Sequence, residues 1–414
     1  MAGKLQFSGR VSASQLVSPP ATVASPVWAA LAERASLLFG TPSYLVRWEP
    51  VAQQAAALEA RFSPLRLRQW LSFKTHPVGP LAQAWIASGR GVEVVSEYEF
   101  VALRELECPA DQLLVNGVAK HTWLGRHRVI GIQVHFDSIR EIQELLPQAV
   151  RDRWRVGLRC HVPAECDTPG SSFGGQFGLA DDELAEAHQR LDAAGLRVEG
   201  LHFHLGPGAR EPGAYRDSVE YLVACCARHG IAPRYIDCGG GLEPGTAGQG
   251  ALDELVEAVA AAAMECPFEE VWTEHGRFMT ASSTALVVRV IDAKGRDECR
   301  YLICDGGRTN QALAADHGLH PMLLVPPRPG PDILTTITGA TCMTDDRLGR
   351  LMLPAAVTPG DLIVWMGAGA YHLPWETRFS QGSCAVVWCD ETGTMSLARR
   401  RETVDEWGRL WTRS

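Results

Sequence analysis

The chain has 414 residues and a formal charge of −9, with 46% hydrophobic and 21% charged residues. That length exceeds one ordinary core and points to two domains, or to a large barrel with an appendage. The acidic balance excludes a general nucleic-acid binder, which needs a basic surface, yet it leaves room for a local basic pocket that takes a small phosphate.

Residues 1–40 are rich in Ala, Ser and Pro; Ser18-Pro19-Pro20 and Ser25-Pro26 read as loop, and Trp28 to Leu38 as a short helix. This N-terminal segment is expected to pack with the second domain. From Thr41 short apolar runs alternate with helical stretches. Tyr44-Leu45-Val46 reads as a strand and Val51 to Phe62 as a helix; Trp70 to Phe73 as a strand and Leu81 to Ser88 as a helix; Val92 to Val95 as a strand and Glu97 to Leu106 as a helix. Leu113 to Val115, Ile130 to Val134, Arg155 to Arg159, Gly200 to His204, Arg234 to Asp237 and Glu270 to Trp272 continue the strands. Strands separated by helices argue for βα units, and this many over residues 41–281 match an α/β TIM (β/α)8 barrel. After Ala281 the rhythm changes. Thr284 to Ile291, Arg300 to Cys304, Ile333 to Ile337, Asp361 to Trp365 and Ala385 to Val387 read as strands without helices between them, so residues 282–414 form a β-rich domain. Pro326 to Pro331 reads as a surface loop.

Twelve cysteines are scattered with no Cys-x-x-Cys pair, so the usual zinc spacings are missing and no metal is expected. Such thiols fit a reducing, cytoplasmic setting. No basic start followed by an apolar run opens the chain, so a secretory signal is not expected. No apolar run reaches the roughly 18 residues of a membrane helix.

In a barrel, active groups gather at the C-terminal ends of strands. Lys74 follows Trp70-Leu71-Ser72-Phe73; a desolvated amine there can form a Schiff base, though a solvated surface lysine is the plain alternative. His202 and His204, two residues apart, face one side of a strand; two hydrogen-bonded core histidines are the alternative. Gly239-Gly240-Gly241 follows Tyr235-Ile236-Asp237-Cys238 and lets backbone amides approach a phosphate, or simply turns tightly. Glu274-His275-Gly276-Arg277 offers a carboxylate, a close backbone approach and a guanidinium fork, or a surface ion pair. Cys342 to Asp346 and Gly367-Ala368-Gly369-Ala370-Tyr371 lie in the second domain.

In this order the segments resemble those of the fold-type III pyridoxal 5′-phosphate decarboxylases, the ornithine, arginine and diaminopimelate decarboxylase family with an alanine racemase-like barrel. The resemblance runs from about Thr41 to Phe379. Ser72-Phe73-Lys74-Thr75-His76-Pro77 is similar to the Schiff-base lysine motif, with His76 where Asn is usual. Val94 to Glu99 and Asn116 to Lys120 are similar to the next two strand-end segments. His202-Phe203-His204-Leu205-Gly206 matches a motif whose second histidine stacks on the cofactor ring. Glu274-His275-Gly276-Arg277 resembles Glu-Pro-Gly-Arg, and Gly369-Ala370-Tyr371 a segment that reaches the phosphate. The resemblance implies pyridoxal 5′-phosphate on Lys74, Glu274 at the ring nitrogen, and Gly239, Gly240, Gly241, Gly276, Arg277 and Tyr371 at the phosphate. A carboxylate at position 274 implies decarboxylation in preference to racemisation. Cys342 corresponds to a cysteine supplied across a homodimer interface to protonate Cα, so that two chains share each site.

The chain departs from that pattern at the distal pocket. Members acting on basic amino acids carry an acid after the cysteine; here Met343 stands there, and Asp346 fits a later acid of the motif. The Arg-Pro-x-x-Tyr substrate segment is replaced by Asp305 to Asn310 and a loop from Asp316 to Pro321. Pro207 replaces a serine that often follows His-x-Gly. These changes predict a substrate other than free ornithine, lysine, arginine or diaminopimelate, such as a conjugated amino acid, with Met343, Asp346, Arg308, His317 and His320 as candidate distal contacts. The rival readings are a racemase or epimerase on the same cofactor, a PLP-fold binding protein without catalysis, and a metal-dependent amidohydrolase. The last also uses His-x-His on a barrel strand, but early in the barrel and with further His and Asp ligands.

Overall fold

A computed structural model describes residues 25–162, 175–206, 213–266, 268–296, 299–311 and 320–412. Helix α1 (Pro26–Phe39) starts on a proline, whose fixed φ suits a first helical turn. It buries Trp28, Ala32 and Ala35 along one face, against Leu45, Ala285, Val287 and Val364 of a sheet. Strand β1 (Ser43–Arg47) belongs to that sheet and leads into α2 (Glu49–Phe62).

The barrel begins only with β2 (Leu67–Ser72). It continues through α3 (Gly79–Ala87), β3 (Gly91–Val94), α4 (Glu97–Glu105), β4 (Leu113–Val115), β5 (Gln133–Phe136), α5 (Ile139–Arg151), β6 (Arg155–Arg159) and α6 (Asp181–Ala193). Then come β7 (Val198–His202), α7 (Ala214–His229), β8 (Tyr235–Asp237), α8 (Gln249–Glu265), β9 (Glu270–Thr273) and the short α9 (Gly276–Thr280). Strands β2 to β9 pair in parallel and close on themselves. Two turns into helices share a Ser-x-x-Glu pattern in which the serine caps the helix and the glutamate takes the amide one residue before that serine. Ser96 accepts the Glu99 amide while Glu99 takes that of Val95, and Ser138 accepts the Glu141 amide while Glu141 takes that of Asp137.

The barrel interior is filled by Trp70, Leu114, Tyr235 and Trp272. The last two stack with centroids 3.4 Å apart. Small residues on neighbouring strands make the space: a Cβ on Gly200 would lie 2.1 Å from the Tyr235 ring, and one on Gly91 2.2 Å from the Trp70 ring. Apolar residues on the outward side of the strands pack under the helices in one continuous core.

The second domain comprises β10 (Thr284–Arg296), β11 (Cys299–Cys304), β12 (Met322–Val325), β13 (Asp332–Thr338), β14 (Arg347–Pro354), β15 (Leu362–Met366), β16 (Ala385–Cys389), β17 (Met395–Arg399) and helix α10 (Val404–Thr412). With β1 these strands make a nine-stranded sheet in the order β14-β13-β11-β10-β1-β16-β17, with β15 joined to β10 and β12 to β15. Strand β1, which the sequence places at the head of the barrel, therefore runs antiparallel to β10 and parallel to β16. Its neighbour α2 makes it look like a βα unit, and its true partners lie more than two hundred residues away. Strands β12, β14 and β17 have no counterpart in the sequence reading; β14 carries Arg347, Gly349 and Arg350, which mask its alternation. No helix among the described residues is long and apolar enough to cross a membrane.

Candidate active site

A cavity of about 540 Å³ opens at the C-terminal ends of the barrel strands, with Tyr371 and Trp375 of the second domain over it. Lys74 sits on a 3₁₀ turn, Phe73–Thr75, directly after β2. Its Nζ lies 2.9 and 2.8 Å from the two carboxylate oxygens of Glu93 and 3.1 Å from Ser72 Oγ. The parallel register that sets Ser72 beside Glu93 makes this contact. Ser72 Oγ also donates to Glu93 at 2.6 Å. Burial by itself lowers the Lys74 pKa, but the negative charges of Glu93 and Glu274 outweigh it and hold the ammonium above the ordinary lysine range. Burial also raises Glu93, with Lys74 pulling the other way.

Glu274 follows β9 and is buried. Its Oε1 accepts Asn116 Nδ2 at 2.5 Å, and its Oε2 lies 3.6 Å from His202 Nε2. His204 stands two residues past the end of β7, so it is carried by the loop and not by the strand that the sequence predicts. The Gly240 amide donates to its Nδ1 at 2.8 Å, which leaves the ring proton on Nε2. Burial, foremost, and then the nearby Arg159 and Lys74 cations push His204 well below the usual histidine range, so the ring is neutral.

The glycine loop after β8 turns with φ +59° at Gly239 and +113° at Gly241, which L side chains rarely adopt. A Cβ on Gly240 would meet the Glu274 carbonyl oxygen at 2.9 Å and His204 Cε1 at 3.0 Å. Gly276 lets the chain pass the lysine turn, where a Cβ would lie 2.1 Å from Thr75 Oγ1. Arg277 places its guanidinium 5.3 Å over the Tyr371 ring and 3.7 Å from Glu243. Tyr371 donates its amide to Thr75 O at 2.8 Å, tying the second domain to the lysine turn. Two of the family departures in the barrel, His76 and His275, are buried: His76 bonds Thr284 Oγ1 at 3.0 Å, and burial pushes both down to about 3.

The sequence candidates thus divide. Lys74, His204, Gly240, Gly241, Glu274, Gly276, Arg277 and Tyr371 line one cavity, and Gly239 stands beside them. Cys342, Met343, Asp346 and Arg308 lie outside its wall among the described residues. Cys342 is exposed and Met343 half-buried. Asp346 is not the open distal acid that the motif suggests. Its carboxylate accepts the amides of Arg308 at 2.7 Å and Thr341 at 3.0 Å together with the Thr341 hydroxyl. It closes the loops at Gly307 and Gly339, which crowd it so closely that no Cβ would fit. His320 bonds the Met366 carbonyl at 3.0 Å, and His229 pairs with Asp181 on the barrel exterior. His317 and Pro207 lie outside the described residues.

The sequence reading gave no site role to Glu93, Arg159, His135 and Asp237, nor to Asn116, which it placed only in a strand-end segment. A signal existed: each is a charged or polar residue inside or just after an apolar strand, where only an inward face would hold it. Arg159 lines the cavity, 3.6 Å from Asp137 and with its guanidinium 4.4 Å over Phe177.

A half-buried amine facing the cavity, a glycine loop in which a Cβ at Gly239 or Gly240 would clash and a carboxylate with its own amide donor fit pyridoxal 5′-phosphate. The sequence profile described as "Pyridoxal-dependent decarboxylase, pyridoxal binding domain" matches residues 51–281. The chain belongs to this family. It is a pyridoxal 5′-phosphate-dependent carboxy-lyase, with a barrel and β-domain of the alanine racemase-like class. It is 27% identical over 344 residues to a diaminopimelate decarboxylase of Actinosynnema pretiosum subsp. auranticum, covering 78% of each chain. It is 26% identical over 403 residues to the L-glutamyl-[BtrI acyl-carrier protein] decarboxylase of Niallia circulans, covering 89% of this chain and 93% of that one. Its fold matches the diaminopimelate decarboxylase of M. jannaschii in complex with L-lysine with a TM-score of 0.78 at 19% identity, over 91% of this chain and 93% of that one.

Proposed function

We propose that this decarboxylase removes the α-carboxylate, as CO₂, from an amino acid whose side chain ends in a neutral, acidic or conjugated group. Lys74 would carry pyridoxal 5′-phosphate. Gly239, Gly240, Gly241, Gly276, Arg277 and Tyr371 would hold its phosphate, His204 its ring face and Glu274 its ring nitrogen. When bound, pyridoxal 5′-phosphate supplies an electron-poor ring that accepts the electron pair left at Cα as CO₂ departs. Glu274 keeps a proton at the ring nitrogen, because an opposite charge favours the protonated form. Asn116 fixes the direction of that carboxylate. His204, neutral and tethered through Nδ1, adds no competing positive charge beside the ring. Glu93 holds the Lys74 ammonium in place beside Ser72. Cys342, exposed and away from its own chain's cavity, fits a proton donor to Cα in the site of a second copy.

The observation that carries the substrate half is the segment after Cys342. Met343 offers no charge, and both oxygens of Asp346 are engaged by the chain's own amides and the Thr341 hydroxyl. A distal substrate cation brought there unpaired would lose solvation at a cost of about several kcal/mol. The Niallia circulans relative is named for a glutamyl group on a carrier protein, which agrees with this reading, whereas other relatives are named for diaminopimelate. CO₂ release from a panel of free amino acids and carrier- or amide-linked amino acids tests it. Glutamate or a conjugate should exceed ornithine, lysine and diaminopimelate in kcat/KM by about tenfold or more, the worth of one unpaired buried charge at its lower bound. Efficient turnover of diaminopimelate or lysine would overturn it.

A further inference from the structure

Beneath Glu274 lies a buried polar layer that the reading above leaves unused. His135 on β5, His202 on β7, Asp237 at the end of β8 and Glu274 each present one nitrogen or oxygen within 4.8 Å of the others. The stacked Tyr235 and Trp272 rings pack below it, and Tyr235 Oη meets His135 Nε2 at 2.8 Å.

The two oxygens of Asp237 differ. Oδ1 accepts the Gly239 amide at 2.9 Å. Oδ2, fully buried, finds no donor among the described residues. His135 Nδ1 stands 4.0 Å away, beyond hydrogen-bond reach. The carboxyl of Glu274, another acceptor, lies within 4.8 Å of the Asp237 carboxyl. Two bare carboxylates cannot share so dry a place; one of them must hold a proton. The imidazoles do not relieve them. Burial first, and then neighbouring positive charge, push His135 and His202 well below the usual range, so both are neutral. Asp237 is the member of the pair whose free oxygen is fully buried, whereas Glu274 receives Asn116 on Oε1 and its Oε2, 3.6 Å from His202 Nε2, stands at the cavity wall. Burial, followed by the charge of Glu274, moves Asp237 well above the usual carboxyl range, in agreement.

We propose that Asp237 is a neutral carboxylic acid in the working enzyme, that its Oδ2 proton is donated to Glu274, and that it is a positioning residue which keeps Glu274 ionised toward the cofactor's ring nitrogen. The inference rests on the assignment of Glu274 to that nitrogen. A donor on a carboxylate lowers its proton affinity, so Glu274 attracts the ring proton without removing it. Through Oδ1 the same side chain pins Gly239, so one residue couples the partner of the ring nitrogen to the phosphate cradle.

The test compares Asp237→Ala, Asp237→Asn and Glu274→Gln in the full-length enzyme. Asparagine can accept the Gly239 amide and donate to Glu274, as a neutral acid does; alanine can do neither. Asp237→Ala should lower kcat on the order of 10–100-fold with little change in KM, and Asp237→Asn should recover most of that loss. Independently of turnover, infrared spectra at neutral pH, with and without pyridoxal 5′-phosphate, should contain the carbonyl band of a protonated carboxylic acid. That band should shift in D₂O and vanish in Asp237→Asn. Its absence from the wild type would overturn the proposal, as would an asparagine variant as damaged as alanine or unable to fold. If the band is present and lost in Asp237→Asn while Glu274→Gln turns over normally, the neutral acid stands and the role given to Glu274 falls.

Discussion

Lys74 must lose a proton before its amine can attack a carbonyl. Burial favours that loss, and the carboxylates of Glu93 and Glu274 oppose it and prevail, so the resting side chain is an ammonium held above the ordinary lysine range. The rate at which the cofactor-free enzyme takes up pyridoxal 5′-phosphate should therefore climb with pH from neutrality upward. Glu93→Gln removes the largest charge that opposes deprotonation and leaves burial opposed chiefly by Glu274. The rise should then move to lower pH by roughly 1–3 units, the usual effect of losing one close opposite charge. Stopped-flow absorbance on mixing enzyme with cofactor across a pH series reads this directly. An unshifted profile would show that Glu93 merely packs beside the lysine.

At the scale of elements, the barrel was legible where strands present apolar residues to the helices outside, as Val92 and Val94 on β3 or Val156 and Leu158 on β6 do. It was less legible where the inward face is polar. On β5, Gln133 and His135 point into the barrel, and the expected strand was placed about three residues too early, across Gly131. Sequence order brought Lys74, His204, Glu274, Arg277 and Tyr371 to one cavity, because each sits in a run with a recognisable local pattern. Glu93 and Asn116 were not legible as site residues. Their roles come from register, Ser72 beside Glu93 and Val94 beside Val115, and register is a property of two strands at once. The same dependence governs stability. Gly200 on β7 faces Tyr235 across the sheet, and Tyr235 cannot retreat because Trp272 is stacked on it. Gly200→Ala should cost about 1–3 kcal/mol of overpacking and lower Tm by roughly 2–10 °C. Gly250→Ala, on α8 where an added methyl meets nothing within 4 Å, is the matched control and should not lower Tm. Equal Tm values for the two variants, by differential scanning calorimetry, would mean that the barrel interior yields more easily than its ring stack suggests.

At the scale of the whole molecule, one chain gathers Lys74, Glu274 and the glycine loop around one cavity, yet leaves Cys342 exposed and outside that cavity. The turn that carries it is held from within, by Asp346 on the amides of Thr341 and Arg308. A rigid, outward-facing turn suits delivery of its side chain to a neighbour better than a fold-back onto its own barrel. If a two-fold dimer brings each Cys342 to the other chain's Lys74, the two residues of a working site come from different chains. Lys74→Ala chains should lack the visible absorbance of a lysine-bound cofactor and have no turnover; Cys342→Ala chains should load cofactor and turn over poorly. When equal amounts are unfolded, mixed and refolded, about half of the dimers are mixed, and each has one site in which both residues are intact, so about a quarter of wild-type activity should return. If Cys342 served its own chain, every site in the mixture would still lack one residue and no activity would return. Sedimentation of the same mixture shows whether dimers have formed, so that a failure to recover activity with dimers present would sink the shared site, and a monomer with full wild-type activity would sink the dimer itself.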